Sequence, residues 1–183
     1  MSPEAQAARC RRIVHAALAI VRPRFALDLH GIHGLPHWSR VCRHGRFLAG
    51  ELGLDPALTT WFAFLHDACR RDDGDDPQHG PRAADLALRL RRTGSIGELD
   101  RRGFALLVEA IRWHSRGGRV GEPALLACWD ADRLDLARVG IRPDPRRLAT
   151  EPARRPEVIE AAVRRALARS RRHRGSAGES ARG

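Results

Sequence analysis

Proline and glycine divide this sequence into segments whose apolar residues recur at every third or fourth position. That spacing is the period of an amphipathic α-helix, and no segment shows the alternation that is typical of a β-strand. Asp55 followed by Pro56 is typical of a helix start, and Gly94 is typical of a helix end. The pattern therefore predicts an all-α protein, a single-domain bundle of about six to seven helices.

The predicted helices follow one another along the whole chain. They cover seven segments, at about residues 4–21, 36–52, 56–69, 82–92, 98–114, 122–139 and 156–170. With 183 residues the chain is long enough to bury its own core. We expect four parts: an N-terminal helix packed on the core (1–27), a helical core (28–140), a connection with a C-terminal helix (141–170) and a disordered basic tail (171–183).

The basic residues are all arginine, and they are concentrated near the C-terminal end. The sequence has 33 basic and 22 acidic residues, a net charge of +11 at pH 7. Residues 163–183 hold seven arginines and one glutamate, which is more than half of that net charge. We interpret this segment as a solvated end of the chain. An arm that binds RNA or a membrane surface is the alternative, and we do not favour it.

The cysteines and the apolar runs predict a cytoplasmic protein without a membrane segment. The four cysteines, at positions 10, 42, 69 and 128, form no CxxC motif, and three of them lie among apolar residues. Such cysteines are typical of small core residues in a reducing compartment. No apolar run approaches the length that crosses a bilayer. The apolar segment 13–21 follows two arginines but precedes no small-residue cleavage site, so we do not interpret it as a signal peptide.

Ionisable side chains stand at positions where a helix should be apolar. The run 61–65 is apolar on every side and leads directly into His66 and Asp67. Asp132 lies three, four and seven residues from apolar positions, and His37 opens a helix whose next turn should face the core. A buried carboxylate must be neutralised, paired or bound to a metal. Two histidines and two aspartates from separate helices suit Mn, Fe, Co, Ni or Zn, and suit Mg less well.

Three short motifs carry these residues, in a fixed order along the chain. They are HWSRV at 37–41, LHD at 65–67 and DADRLD at 130–135. With them the sequence resembles the HD-domain superfamily of metal-dependent phosphohydrolases, over roughly residues 28–140. The resemblance implies a helical bundle that binds a divalent metal ion and hydrolyses phosphate esters or anhydrides, often of nucleotides. The metal ligands that it implies are His37, His66, Asp67 and Asp132.

Residues beside the motifs are candidates for substrate binding. Arg40, Arg70 and Arg82 could hold phosphate oxygens through bidentate hydrogen bonds. The resemblance implies a role in substrate contact for His79 and His114, because comparable histidines reach the site in two-metal or phosphate-binding members.

Proton transfer has its own candidates. Asp67, as a ligand next to the water, could accept the proton of that water. Members of the superfamily commonly place an acid three residues after the aspartate of the pair, and this chain has Arg70 there. Asp73, Asp76 or His79 could protonate the leaving group instead.

Some neighbouring residues have alternative interpretations. Asp130 competes with Asp132 as a ligand, but two residues apart on a helix lie on nearly opposite faces, so both can hardly bind one ion. Asp135 could support the site or be a surface acid. We expect His30 and His33 to be loop residues near its mouth.

The predicted function is that of a metal-dependent phosphohydrolase with a small phosphorylated substrate, such as a nucleotide. The alternative is a non-catalytic helical protein that binds a metal, RNA or a partner through its basic tail. A metal-dependent oxygenase is a third candidate, and it would need a second set of ligands that includes His79 and His114. The sequence does not fix the oligomeric state.

Overall fold

The computed structural model describes residues 2–176, with side chains through residue 168. Over this part of the chain the structure is entirely helical and contains no strand, so the predicted all-α class is confirmed. The elements are α1 (Pro3–Val21), α2 (Leu35–Glu51), α3 (Ala57–Leu65), α4 (His79–Arg92), α5 (Arg101–Trp113), α6 (Pro123–Arg133), a 3₁₀ turn (Leu136–Val139), α7 (Glu151–Arg154) and α8 (Pro156–Ser176). None of these helices has the length and apolar character that spanning a bilayer requires.

Helix α3 lies at the centre of the bundle. All nine of its residues are buried, and it packs against α1, α2, α4, α5 and α6. A helix that is apolar on every face is stable only when other helices surround it. Trp61 and Phe62 of α3 join Trp38 of α2 and Ile111 of α5 in one continuous core. The end of α3 therefore delivers the two residues that follow it, His66 and Asp67, into the interior.

Local capping explains where several helices begin. The Asp55 carboxylate accepts a hydrogen bond from the backbone N–H of Ala57 at 2.9 Å, at the start of α3. Helix α5 begins at Arg101, later than predicted, because Asp100 is its N-cap and accepts from the N–H of Gly103 at 2.7 Å. Satisfying these free N–H groups stabilises a helix start.

Helix α6 ends at Arg133, six residues before the predicted end of the helix at 139. The backbone changes from four-residue to three-residue hydrogen bonding at Asp135, whose N–H donates to the carbonyl of Asp132 at 2.9 Å. The 3₁₀ turn then ends at Gly140, with a φ of +81° that glycine adopts readily. Only the N-terminal half of the predicted apolar stripe around Asp132 therefore lies on α6.

The connection after Gly140 is fixed to α6 by a buried carboxylate. Asp130 accepts hydrogen bonds from the N–H groups of Ala149 and Thr150 and from the Thr150 hydroxyl, at 2.7–2.9 Å. Helix α8 packs through Ile159, Ala162 and Ala166. It extends to Ser176, beyond the predicted end at 170, and residues 177–183 of the predicted tail lie outside the described residues.

Candidate metal centre

Four side chains from three parts of the bundle converge in the interior. His37 comes from the first turn of α2, His66 and Asp67 follow α3, and Asp132 comes from the last turn of α6. The Nε2 atoms of His37 and His66 are 3.0 Å apart. Oδ2 of Asp67 lies 3.6 Å from each of these nitrogens. Oδ1 of Asp132 lies 3.4 Å from His37 Nε2 and 3.8 Å from His66 Nε2.

These separations match those between the ligands of a single metal ion. Donors bound at about 2.0–2.2 Å to one ion are roughly 3.0–3.6 Å from one another in octahedral and tetrahedral arrangements. The five separations given above, 3.0–3.8 Å, lie within that range or close to it. Nitrogen and carboxylate oxygen in equal number suit a divalent transition metal.

The hydrogen bonds of His37 and His66 show whether each Nε2 atom carries a proton or a lone pair. Nδ1 of His37 is 2.7 Å from Oδ2 of Asp135, and Nδ1 of His66 is 3.2 Å from the carbonyl oxygens of Phe62 and Ala63. These oxygens only accept, so each Nδ1 carries the proton and each Nε2 presents a lone pair. Two lone pairs that face each other at 3.0 Å beside two carboxylates need a positive charge between them.

Burial keeps the imidazoles neutral and their neighbours keep the aspartates ionised. Burial lowers the pKa of His66 to about 4 and lowers the pKa of His37 well below its usual value. Burial alone would raise the pKa of Asp67 and Asp132, but a hydrogen bond from His114 holds the pKa of Asp67 below its usual value, and the charge of Arg138 helps to do the same for Asp132. Neutral imidazole and carboxylate are the forms that bind metals.

Two further histidines approach the other oxygen of Asp67. His79, at the start of α4, and His114, which follows α5, have Nε2 atoms 2.8 Å apart. These atoms lie 3.4 Å and 3.6 Å from Oδ1 of Asp67. Nδ1 of His114 donates to the carbonyl of Ile111, and Nδ1 of His79 donates to that of Asp76. The predicted substrate residues His79 and His114 thus form a second group with Asp67. Burial alone would lower the pKa of His114, but its hydrogen bond to Asp67 and the charge of Asp67 raise it above its usual value.

Asp135 supports the first group from behind. Its carboxylate is fully buried and accepts from Nε and Nη2 of Arg40 at 2.6 Å and 3.0 Å, in addition to His37. Two nitrogens of the Arg40 guanidinium, Nε and Nη2, donate to Asp135. Arg40 therefore holds the carboxylate that orients His37, instead of making the predicted phosphate contact. Asp135 is a supporting residue, one of the two alternatives that its sequence position allowed.

Arg82 and Asp76 bind each other outside the cluster. Arg82 donates to Asp76 at 2.5 Å and to the carbonyl of Cys69, and it is not among the residues that line the cavity described below. Asp76 also accepts from the N–H of Arg71; these hydrogen bonds outweigh its burial and lower its pKa. This arrangement separates Arg82 from the predicted substrate contact and leaves Asp76 as an ionised carboxylate that stabilises the loop after α3.

Asp73, the other predicted acid, lies in the same loop. It pairs with Nδ1 of His33 at 2.8 Å, and its side chain is half exposed. Among the described contacts it does not touch the four converging side chains. His33 lies near the mouth, as expected, because it lines the cavity over the cluster.

A cavity of about 610 Å³ opens over both groups. Asp67, Asp132, His79 and His114 lie along it, together with an apolar strip that includes Val139 and Ile141. Five arginines also line it, namely Arg70, Arg133, Arg138, Arg142 and Arg147. The sequence analysis singled out only Arg70 among them. In a chain with 33 basic residues, nothing in the local sequence distinguishes the other four.

Comparison with known proteins gives one informative similarity. No family model matches the chain, and no curated protein matches it either. Among solved structures, it is similar to a predicted HD superfamily hydrolase from an uncultured Thermotogales bacterium, with a TM-score of 0.62 and 27% sequence identity over 91% of each chain. The fold is therefore that of the HD superfamily, and the resemblance that the three motifs indicate is confirmed.

Proposed function

We propose that this protein is a metal-dependent phosphohydrolase that acts on a phosphate ester or anhydride of a small molecule such as a nucleotide. His37, His66, Asp67 and Asp132 would hold one divalent ion. The observation that carries the proposal is the pair of Nε2 lone pairs facing each other at 3.0 Å between two carboxylates, below an arginine-lined cavity. The description of the structural neighbour as a predicted hydrolase of the HD superfamily supports it.

We assign different steps of hydrolysis to different residues of the cluster. A divalent ion, when bound, supplies Lewis acidity that makes water a nucleophile near neutral pH. We assign to Asp67 the acceptance of the proton of that water, because its two oxygens lie 3.6 Å and 3.4 Å from histidine nitrogens of the two groups. His79 and His114 line the cavity and lie within 3.6 Å of Asp67, so we assign them the transfer of a proton to the leaving group. Asp76 forms an ion pair with Arg82, so it is unsuited to protonate the leaving group.

The cavity suits an anionic organic substrate. Its volume of about 610 Å³ lies in the range of small-molecule sites. Arg138, 4.0 Å from Oδ1 of Asp132, is placed to stabilise negative charge on a phosphoryl group beside the cluster. Val139 and Ile141 are 40% and 55% exposed, and as part of the cavity wall they offer an apolar surface to the remainder of the substrate.

Replacement of Asp67 by alanine tests the proposal. The Asp67→Ala protein should lose both bound Mn²⁺ and hydrolysis of a panel of nucleotides and phosphodiesters, while its far-ultraviolet circular dichroism stays helical. Asp73→Ala is the matched control: it removes an aspartate from the loop after α3 that does not touch the cluster, so it should keep bound metal. Hydrolysis by Asp67→Ala at the rate of the unaltered protein would contradict the mechanism.

A further inference from the structure

Arg70 lies against the second group of ligands. Its Nη1 atom is 3.8 Å from Oδ1 of Asp67 and 3.0 Å and 3.2 Å from the two ring nitrogens of His79. Its Nη2 donates to the carbonyl of Gly74 at 3.0 Å, which anchors the side chain to the loop after α3. Only 11% of the side chain is exposed, and its buried Nε has no hydrogen-bond partner among the described residues.

The second group would otherwise suit another cation. Oδ1 of Asp67 and the Nε2 atoms of His79 and His114 are 2.8–3.6 Å apart, within the range found in the first group or close to it. However, of the described donors near this position His66 is shared with the first group, which leaves three, one fewer than in the first group. The stability of an ion at this position therefore depends on the charges near these donors, and Arg70 lies 3.8 Å from Oδ1 of Asp67.

The guanidinium is too close for both charges to be tolerated. An ion bound at about 2.1 Å to Nε2 of His79 would lie within roughly 5.3 Å of Nη1 of Arg70, because the two nitrogens are 3.2 Å apart. An arginine side chain does not lose its proton in proteins, so it cannot relieve the repulsion by becoming neutral. In a buried site with little water such repulsion is strong.

We propose that Arg70 takes the place of a second cation, so that this chain binds one divalent ion and uses His37, His66, Asp67 and Asp132 to hold it. The inference rests on the metal binding proposed above. Arg70 then balances the charge of the outer oxygen of Asp67 and contacts the ring of His79, which leaves Nε2 of His114 for proton transfer. Since Arg70 also lines the cavity, its fixed positive charge faces the substrate.

Metal stoichiometry tests this proposal without any substrate. Protein stripped with EDTA is titrated with Mn²⁺ by isothermal calorimetry, and the loaded protein is examined by electron paramagnetic resonance. The unaltered protein should bind one ion and give an uncoupled Mn²⁺ signal. Arg70→Gln should bind two ions and give the signal of a coupled pair. Arg71→Gln is the matched control, an exposed arginine next in the chain, and it should bind one ion.

Further variants identify where the second ion binds. Adding His114→Ala to Arg70→Gln should return the stoichiometry to one, because it removes a donor of the second group. If the Arg70→Gln variant does not fold, the Arg70→Met variant is used in the same experiment, because methionine keeps the buried aliphatic part of the side chain.

The outcomes separate this inference from the proposed function. Two ions in the unaltered protein would overturn the inference and leave the phosphohydrolase proposal intact. A single ion in a folded Arg70 variant would also overturn the inference, since the guanidinium would not be what excludes the second ion. Absence of Mn²⁺ binding by the unaltered protein would overturn both.

Discussion

Replacement of Asp135 by asparagine should weaken metal binding although Asp135 is not a ligand. Its carboxylate is fully buried and accepts from Nδ1 of His37 at 2.7 Å, which fixes the ring so that Nε2 faces the other donors. An amide at this position carries no charge and makes the imidazole a weaker electron donor. Supporting residues of this kind contribute about 10–100-fold to metal affinity. We therefore expect a loss of about 1.4–2.8 kcal/mol in the free energy of Mn²⁺ binding.

The same substitution should also destabilise the metal-free protein. Asp135 accepts two hydrogen bonds from Arg40, and an amide can replace only part of them. Breaking a buried ion pair by removing one partner costs about 3–5 kcal/mol. The Arg40 side chain is 14% exposed and gains some hydration, so we expect a loss near the lower end, about 3 kcal/mol of unfolding free energy.

Calorimetric titration with Mn²⁺ and urea unfolding in EDTA measure the two effects separately. Asp130→Asn is the control, because Asp130, five residues earlier on α6, is equally buried but holds Ala149 and Thr150 instead of His37. It should lose stability and keep its Mn²⁺ affinity. Unchanged Mn²⁺ affinity in Asp135→Asn, or an equal loss in both variants, would refute the reasoning.

Two further predictions concern stability and the C-terminal end. Burial lowers the pKa of His44 to about 4, so between pH 6.5 and 4 the unfolded chain binds a proton that the folded chain does not, which removes about 3 kcal/mol of stability as the pH falls. His44→Leu should reduce the pH dependence of urea unfolding over this range, while the buried His37 and His66 keep part of it, and an unchanged slope would count against this cause. Deletion of residues 171–183 keeps Ile159, Ala162 and Ala166, the described buried residues of α8, so hydrolysis should survive in an activity assay. Any salt-sensitive RNA binding should disappear in a filter-binding assay, and loss of hydrolysis would contradict the assignment of the site.

Local sequence was sufficient where an ionisable residue interrupts an apolar helix. His66 and Asp67 follow a run of five apolar residues, and that run places them in the interior whatever surrounds it. The apolar stripe predicted the position of Asp132 less accurately, since that stripe extended to Val139. The helix ends at Arg133, so Asp132 reaches the cluster from a last turn rather than from the middle of a stripe.

Long-range partners decided the positions that the sequence left open. Arg40 and Asp135 are 95 residues apart, and nothing local to either shows that they pair. Similarly, Asp76 lies near the His-Asp pair in sequence, but Arg82 on the next helix holds it outside the cluster. Arginines of the cavity wall, such as Arg138 and Arg147, could be recognised only after the 3₁₀ turn and the connection behind it were placed over the site.

The central claim is that imidazole and carboxylate groups from three parts of the bundle hold one metal ion. A crystal of the Mn²⁺-loaded protein, measured for anomalous scattering near the manganese edge, tests it most directly. We predict a single peak at about 2.1 Å from Nε2 of His37 and of His66, with Oδ2 of Asp67 and Oδ1 of Asp132 completing the protein ligands. Absence of a peak at that position, or a peak bound by other side chains, would contradict the account.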